Sequence, residues 1–134
     1  MRGFRIVVAA HGELADAFVS AATLICGVLH DIHAVGLRPD DSPESFSDRL
    51  AEVVAGDEPI LILTDLVGGT PHNVALILAR RLPAATVISG VNLAVLVEAA
   101  TSTDALDAAT VDRLVALGRI ALSDSSSLAA SRGP

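Results

Sequence analysis

Short apolar runs, broken by polar and glycine-rich intervals, set the pattern of this chain. Residues 60–63 are Ile-Leu-Ile-Leu, four consecutive branched apolar side chains of the kind found in a strand covered on both faces. Residues 4–10, Phe-Arg-Ile-Val-Val-Ala-Ala, predict a second such strand that ends at His11-Gly12. Residues 31–37 predict a weaker strand of alternating character, and residues 86–89 a short fourth. Between these runs the apolar period lengthens to that of a helix. From about Glu13, the residues Leu14, Phe18, Ala21 and Ile25 fall on one stripe, with Gly27 as the stop. Ser42-Pro43 supplies an N-cap and a first-turn proline, and Phe46, Leu50, Val53 and Val54 form an apolar face that ends near Gly56.

A third helix is expected from Pro71 through Val74, Ile77 and Leu78 to Arg81, before Pro83. A fourth follows Gly90-Val91-Asn92 and runs to about Thr101. Thr103-Asp104 can cap a fifth, with Val111, Leu114 and Val115 on one side and Gly118 at its end. Residues 119–123 fit either a last short strand or a continuation of that helix. The serine-rich stretch 124–134 reads as a disordered tail behind a single domain of residues 1–123.

Strands alternating with helices imply an α/β fold: an open, doubly wound, mainly parallel sheet with right-handed crossovers and helices on both faces. Ligands bind such sheets beyond the carboxyl ends of the strands, where the strand order reverses. His11, Asp65 and Asn92 all stand at predicted strand ends. With the order 2-1-3-4 the reversal lies between the first and third strands, which brings His11 and Asp65 together.

The stretch after the third strand adds the chemistry. Gly68 and Gly69 permit a sharp turn and close approach by another group. Thr70 offers an N-cap oxygen, and Pro71 suits the first helical position, where its missing N–H costs nothing. A helix start of this kind carries partial positive charge and free amides, and suits a phosphate. Beside it, an imidazole whose tautomer is set by a carboxylate keeps one nitrogen lone pair free. His11 held by Asp65, with phosphate-binding backbone at Gly68, Gly69 and Thr70, therefore predicts phosphoryl transfer onto His11. Gly12, Pro71, His72 and Asn92 are candidate lining residues.

Composition narrows the classes. With 134 residues the chain has room for one well-cored domain. Its hydrophobic fraction is 51% and its mean hydropathy +0.58, yet no apolar run approaches the roughly 18 residues that a membrane span needs. The apolar patch after Arg2 and Arg5 is interrupted by His11-Gly12-Glu13, which makes a poor signal peptide, so a cytoplasmic location is expected. A net charge of −7, with no lysine at all, argues against direct nucleic-acid binding. The single cysteine, Cys26, excludes an internal disulfide and reads as a small buried hydrophobe. His30 and His33 flank Asp31, but no metal site is expected. Without a Walker or Gly-x-Gly-x-x-Gly pattern, no nucleotide cofactor is expected either.

Three segments together resemble the IIA domain of the mannose-family phosphoenolpyruvate:sugar phosphotransferase system (PTS). They are Ala10-His11-Gly12, Thr64-Asp65-Leu66-Val67-Gly68-Gly69-Thr70-Pro71-His72-Asn73, and Gly90-Val91-Asn92-Leu93-Ala94-Val95-Leu96-Val97-Glu98. The related dihydroxyacetone-kinase phosphotransfer subunit shares the fold, but the His-Gly-Glu start favours the mannose type. The resemblance implies that His11 is phosphorylated by phospho-HPr and passes the group to a IIB component, while Asp65 orients the ring. Thr70 stands where the family has a Ser or Thr near the phosphate. It further implies a homodimer in which a C-terminal edge strand is exchanged, a role open to residues 119–123. It also implies contact with the membrane only through permease subunits.

His72 stands where transporter members commonly carry an aromatic residue. With no IIB segment following, IIB is expected on a separate chain; the alternative is a regulatory protein whose phosphorylation state controls partner binding. A receiver-like domain phosphorylated on Asp65 is disfavoured, because such a site needs an acidic pair after the first strand and a lysine after the fifth.

Overall fold

The computed structural model describes residues 2–127. Its strands are β1 (Arg5–His11), β2 (Ile32–Leu37), β3 (Ile60–Thr64) and β4 (Ala85–Ser89), all parallel, in the order β2-β1-β3-β4. Every residue of β3 is buried, as its unbroken apolar run requires. The helices are α1 (Leu14–Cys26), α2 (Pro43–Val54), α3 (Thr70–Ala79), α4 (Leu93–Thr101) and α5 (Ala108–Ala121). One face of the sheet packs Ile6, Val8, Leu61, Leu63 and Ile88 against the buried side chains of α1, α4 and α5. The other packs Val7, Ala9, Ile60 and Ile62 against Phe46, Leu50 and Val54 of α2 and Val74, Ala75 and Leu78 of α3. The sheet is therefore wound on both sides, with its topological reversal between β1 and β3.

Local chemistry explains most boundaries. Ser42 and Ser45 form a reciprocal capping box at the start of α2, whose proline sits in the first turn. Gly56, with φ 118°, follows the end of that helix in a conformation that favours glycine.

Several expectations need correction. The apolar stripe of α1 is rotated: Ala15 and Ala22 are the buried positions, Phe18 and Val19 pack beside them, and Leu14, Leu24 and Ile25 are exposed. Small alanines let the helix lie close to the sheet, and the larger side chains are pushed to the rim. Cys26, expected to be buried, is half-buried at the end of α1. The fifth helix is capped by Asp107, whose carboxylate accepts the Thr110 amide at 2.8 Å, and not by residues 103–104.

That helix also continues through Gly118 to Ala121, so among the described residues there is no fifth strand and residues 119–121 are helical. Gly118 is present for packing: a Cβ there would lie 2.6 Å from Val95 Cγ2 of α4. The expected tail begins with an ordered turn, in which Asp124 accepts the amides of Ser126 and Ser127. The remainder of it, residues 128–134, lies outside the described residues. No helix among the described residues is long and apolar enough to cross a membrane.

Candidate functional site

His11 is the last residue of β1, and Asp65 follows directly on β3, the neighbouring strand. The topological reversal thus places both at the carboxyl end of the two central strands, as expected from the strand order. One carboxylate oxygen serves two donors: Asp65 Oδ2 accepts the His11 backbone N–H at 3.0 Å and lies 2.9 Å from His11 Nδ1. An ionised carboxylate only accepts, so Nδ1 carries the proton and Nε2 keeps its lone pair. The His11 side chain is 45% exposed while that of Asp65 is 10% exposed, so a buried acceptor holds an accessible ring. Burial raises the Asp65 carboxyl pKa, but the hydrogen bonds from the His11 backbone and ring, together with the ring's charge when protonated, outweigh it and hold the group below the ordinary carboxylate value.

The turn after Asp65 forms the second wall. Gly68 takes φ 83°, and its N–H donates to His72 Nδ1 at 3.0 Å while its carbonyl accepts from Asn73 Nδ2 at 3.2 Å. The first turn of α3 therefore holds both backbone polar groups of Gly68. A neutral His72 with its proton on Nε2 meets that geometry, so its ring is turned toward the loop, half-buried, instead of facing solvent. Asn73 was missed in the sequence; a polar residue in the first turn after Gly-Gly is the signal that could have revealed it.

Gly69, expected to present its amide to a phosphate, donates that N–H to Leu66 O at 3.1 Å and is the N-cap of α3. Thr70, expected as the cap, is the first helical residue, and Pro71 is buried in the same turn. In the first turn of α3, the amides of Thr70 and His72 have no acceptor among the described residues. No acidic residue occupies that first turn, so the positive end of the helix has no carboxylate of its own.

Gly69 has a separate role. A Cβ at this position would sit 2.8 Å from His11 Cε1 and 3.4 Å from Nε2. The imidazole thus lies against bare backbone, its free nitrogen close to the helix start. Gly69→Ala is expected to turn the ring and reduce modification of His11 about tenfold, since small misplacements of a reacting group are costly. Labelling rates of folded protein would check this.

Gly12 follows the ring with φ 57° and donates its N–H to Leu37 O at 2.8 Å. Asn92, expected to line the site, spends its amide elsewhere: Oδ1 accepts the Val95 amide at 3.0 Å and Nδ2 donates to Gly118 O at 2.9 Å. It caps α4 and ties that helix to α5. Asn92→Ala is expected to lower unfolding free energy by about 1–3 kcal/mol in urea denaturation, leaving the His11 imidazole NMR signals unchanged. Among the described residues no group of His, Cys, Asp and Glu is arranged to hold a metal. His33 instead lies 3.0 Å from Asp31 in an exposed pair.

Residues 5–116 match the family model described as the PTS system fructose IIA component, EIIA-man. This chain belongs to the mannose-type IIA family of the phosphotransferase system. The sorbose-specific EIIA component of Lacticaseibacillus casei is 31% identical over 97 residues, covering 71% of this chain and 70% of that one. The mannose-specific EIIAB component of Escherichia coli K12 is 30% identical over 115 residues, 84% of this chain but 35% of that longer protein. Among solved structures, the mannose/sorbose-specific IIA subunit from Enterococcus faecalis superposes with a TM-score of 0.87 at 31% identity, covering 92% of this IIA chain and 95% of its own. The family assignment and the sheet order agree with the α/β expectation drawn from the sequence.

Proposed function

We propose that this IIA protein is a phosphocarrier in which His11 Nε2 is the acceptor atom. The observation that supports it most directly is the pairing of His11 Nδ1 with the buried Asp65 at 2.9 Å, which leaves Nε2 as the free nucleophile. Its lone pair forms the new N–P bond as the bond from phosphorus to the donor's leaving atom breaks, and the leaving atom keeps that electron pair. The Nδ1 proton stays in its hydrogen bond to Asp65, so the positive charge that develops on the ring is met by an ionised carboxylate. The start of α3, with its positive end and the amides of Thr70 and His72, is the proposed source of hydrogen bonds to the phosphoryl oxygens. Transfer of this type relies on positioning and charge stabilisation, which these groups supply.

The donor consistent with family membership is phospho-HPr, and the acceptor is a IIB component, serving sugar uptake. Incubation with phosphoenolpyruvate, enzyme I and HPr should produce an acid-labile, base-stable phosphoryl group, which a purified IIB should then remove. A base-labile group would point to an aspartyl phosphate and overturn the assignment. A label that no IIB accepts, with partner binding altered by phosphorylation, would favour a regulatory protein. A homodimer is also proposed from family membership, and sedimentation at micromolar concentration would decide it.

A further inference from the structure

The turn that carries His11 rests on the end of β2, and that end is held from behind by α2. Gly36 pairs with Ala10 and Leu37 with His11 in the β1–β2 register. Gly36 lies so close beneath Gly12 that a Cβ on it would stand 2.3 Å from the Gly12 carbonyl oxygen. Leu37 O accepts the Gly12 amide at 2.8 Å. The two final residues of β2 are thus the floor of the His11-Gly12 turn, and the floor admits only glycine at its first position.

Arg49 of α2 reaches this floor. Its Nη2 donates to Gly36 O at 2.8 Å and also pairs with Asp41 Oδ2. Asp41 is itself fixed: its carboxylate accepts the Arg38 amide at 2.7 Å and the Ser45 hydroxyl at 2.9 Å. The bond from the Arg38 backbone, aided by Ser45 and Arg49, holds this carboxyl below the ordinary carboxylate value. The Arg49 guanidinium stands 5.7 Å from the centroid of the fully buried Phe46 ring, and its Nε is buried. A guanidinium so confined by a carboxylate, an aromatic face and a strand carbonyl has little freedom, and it passes that rigidity to Gly36.

We propose that Arg49, clamped by Asp41, is a positioning residue for His11, acting through Gly36 and Gly12 to keep the imidazole aligned on Asp65. The proposal rests on the reading of His11 as the phosphoacceptor. It explains why a helix that contributes nothing to the site itself carries a half-buried arginine aimed at the one glycine under the catalytic turn.

The test compares wild type, Arg49→Met, Arg49→Lys and Gly36→Ala as purified full-length proteins. Arg49→Met keeps length and removes the donors; it is expected to lower kcat for phosphoryl uptake from phospho-HPr about tenfold with KM for HPr unchanged. Arg49→Lys should recover part of that loss, because one ammonium can still meet Gly36 O or Asp41. Gly36→Ala, which drives the Gly12 carbonyl away directly, is expected to cost about a hundredfold. In each impaired variant the His11 Nδ1–H resonance should shift or broaden in proton–nitrogen NMR before any phosphorylation.

An Arg49→Met protein that is folded yet keeps wild-type kcat and an unmoved His11 resonance overturns the proposal, as does a loss confined to KM. Should Gly36→Ala fail to fold, the two Arg49 variants still decide the matter. If the wild-type protein takes no phosphoryl group on His11, the functional reading fails, and the imidazole resonance alone then judges the positioning role.

Discussion

Replacing His11 with alanine is expected to abolish phosphoryl uptake from phospho-HPr, with the protein still folded. His11 terminates β1, its side chain is 45% exposed, and its backbone amide reaches Asp65 whatever the side chain is. The substitution therefore removes the nucleophile without opening a hole in the core. The other three histidines are placed differently: His72 uses Nδ1 to accept from Gly68, His33 pairs with Asp31 where β2 begins, and His30 lies just before that strand, at the opposite end of the sheet from His11. Radiolabel from phosphoenolpyruvate retained by His11→Ala at anything near the wild-type level would assign the acceptor elsewhere.

Asp65→Asn should be nearly as damaging, though by another route. Asparagine can still accept from the His11 amide, but it carries no charge to balance the phosphorylated ring and can offer its NH₂ to the wrong tautomer. Loss of a carboxylate paired to a reacting imidazole costs on the order of a hundredfold or more in rate. Single-turnover labelling would measure it; a loss under threefold would remove Asp65 from the mechanism.

The same variant has a stability signature. The folded Asp65 pKa is depressed, so its contribution is present above the unfolded value of about 3.9 and is lost as pH falls through the folded value. Wild-type stability should therefore drop more steeply than that of Asp65→Asn as the pH is lowered below about 4. Urea melts at neutral and acid pH would compare the two. Between pH 5 and 8 the carboxylate stays ionised, and it adds no slope to the activity profile there.

The parts of this protein that were legible in its sequence are those where short-range pattern and topology agree. The all-apolar run 60–63 can only be an interior strand, and every residue of β3 is buried. Parallel pairing with a reversal beside the first strand then requires His11 and Asp65 to meet, and Oδ2 of Asp65 lies 2.9 Å from the ring. What escaped was decided by side-chain size and by long-range hydrogen bonds. Leu14 and Ile25 look like a helix stripe, yet alanines at 15 and 22 make the contact with the sheet. Gly118 reads as a stop, but it is there because Val95 crowds it. Asn92 looks like a site residue at a strand end, and its partners turn out to be Val95 and Gly118. The Arg49–Gly36 contact joins residues with no periodic relation, and no local pattern announces it.

If His11 carries a phosphoryl group as proposed, the openness of its imidazole bears on how long that group lasts. Nearly half of the side chain is exposed, so the phosphorus on Nε2 would be open to water as well as to an incoming protein. The lifetime of the cargo would then depend on how quickly a recipient collects it, as befits a courier and not a store.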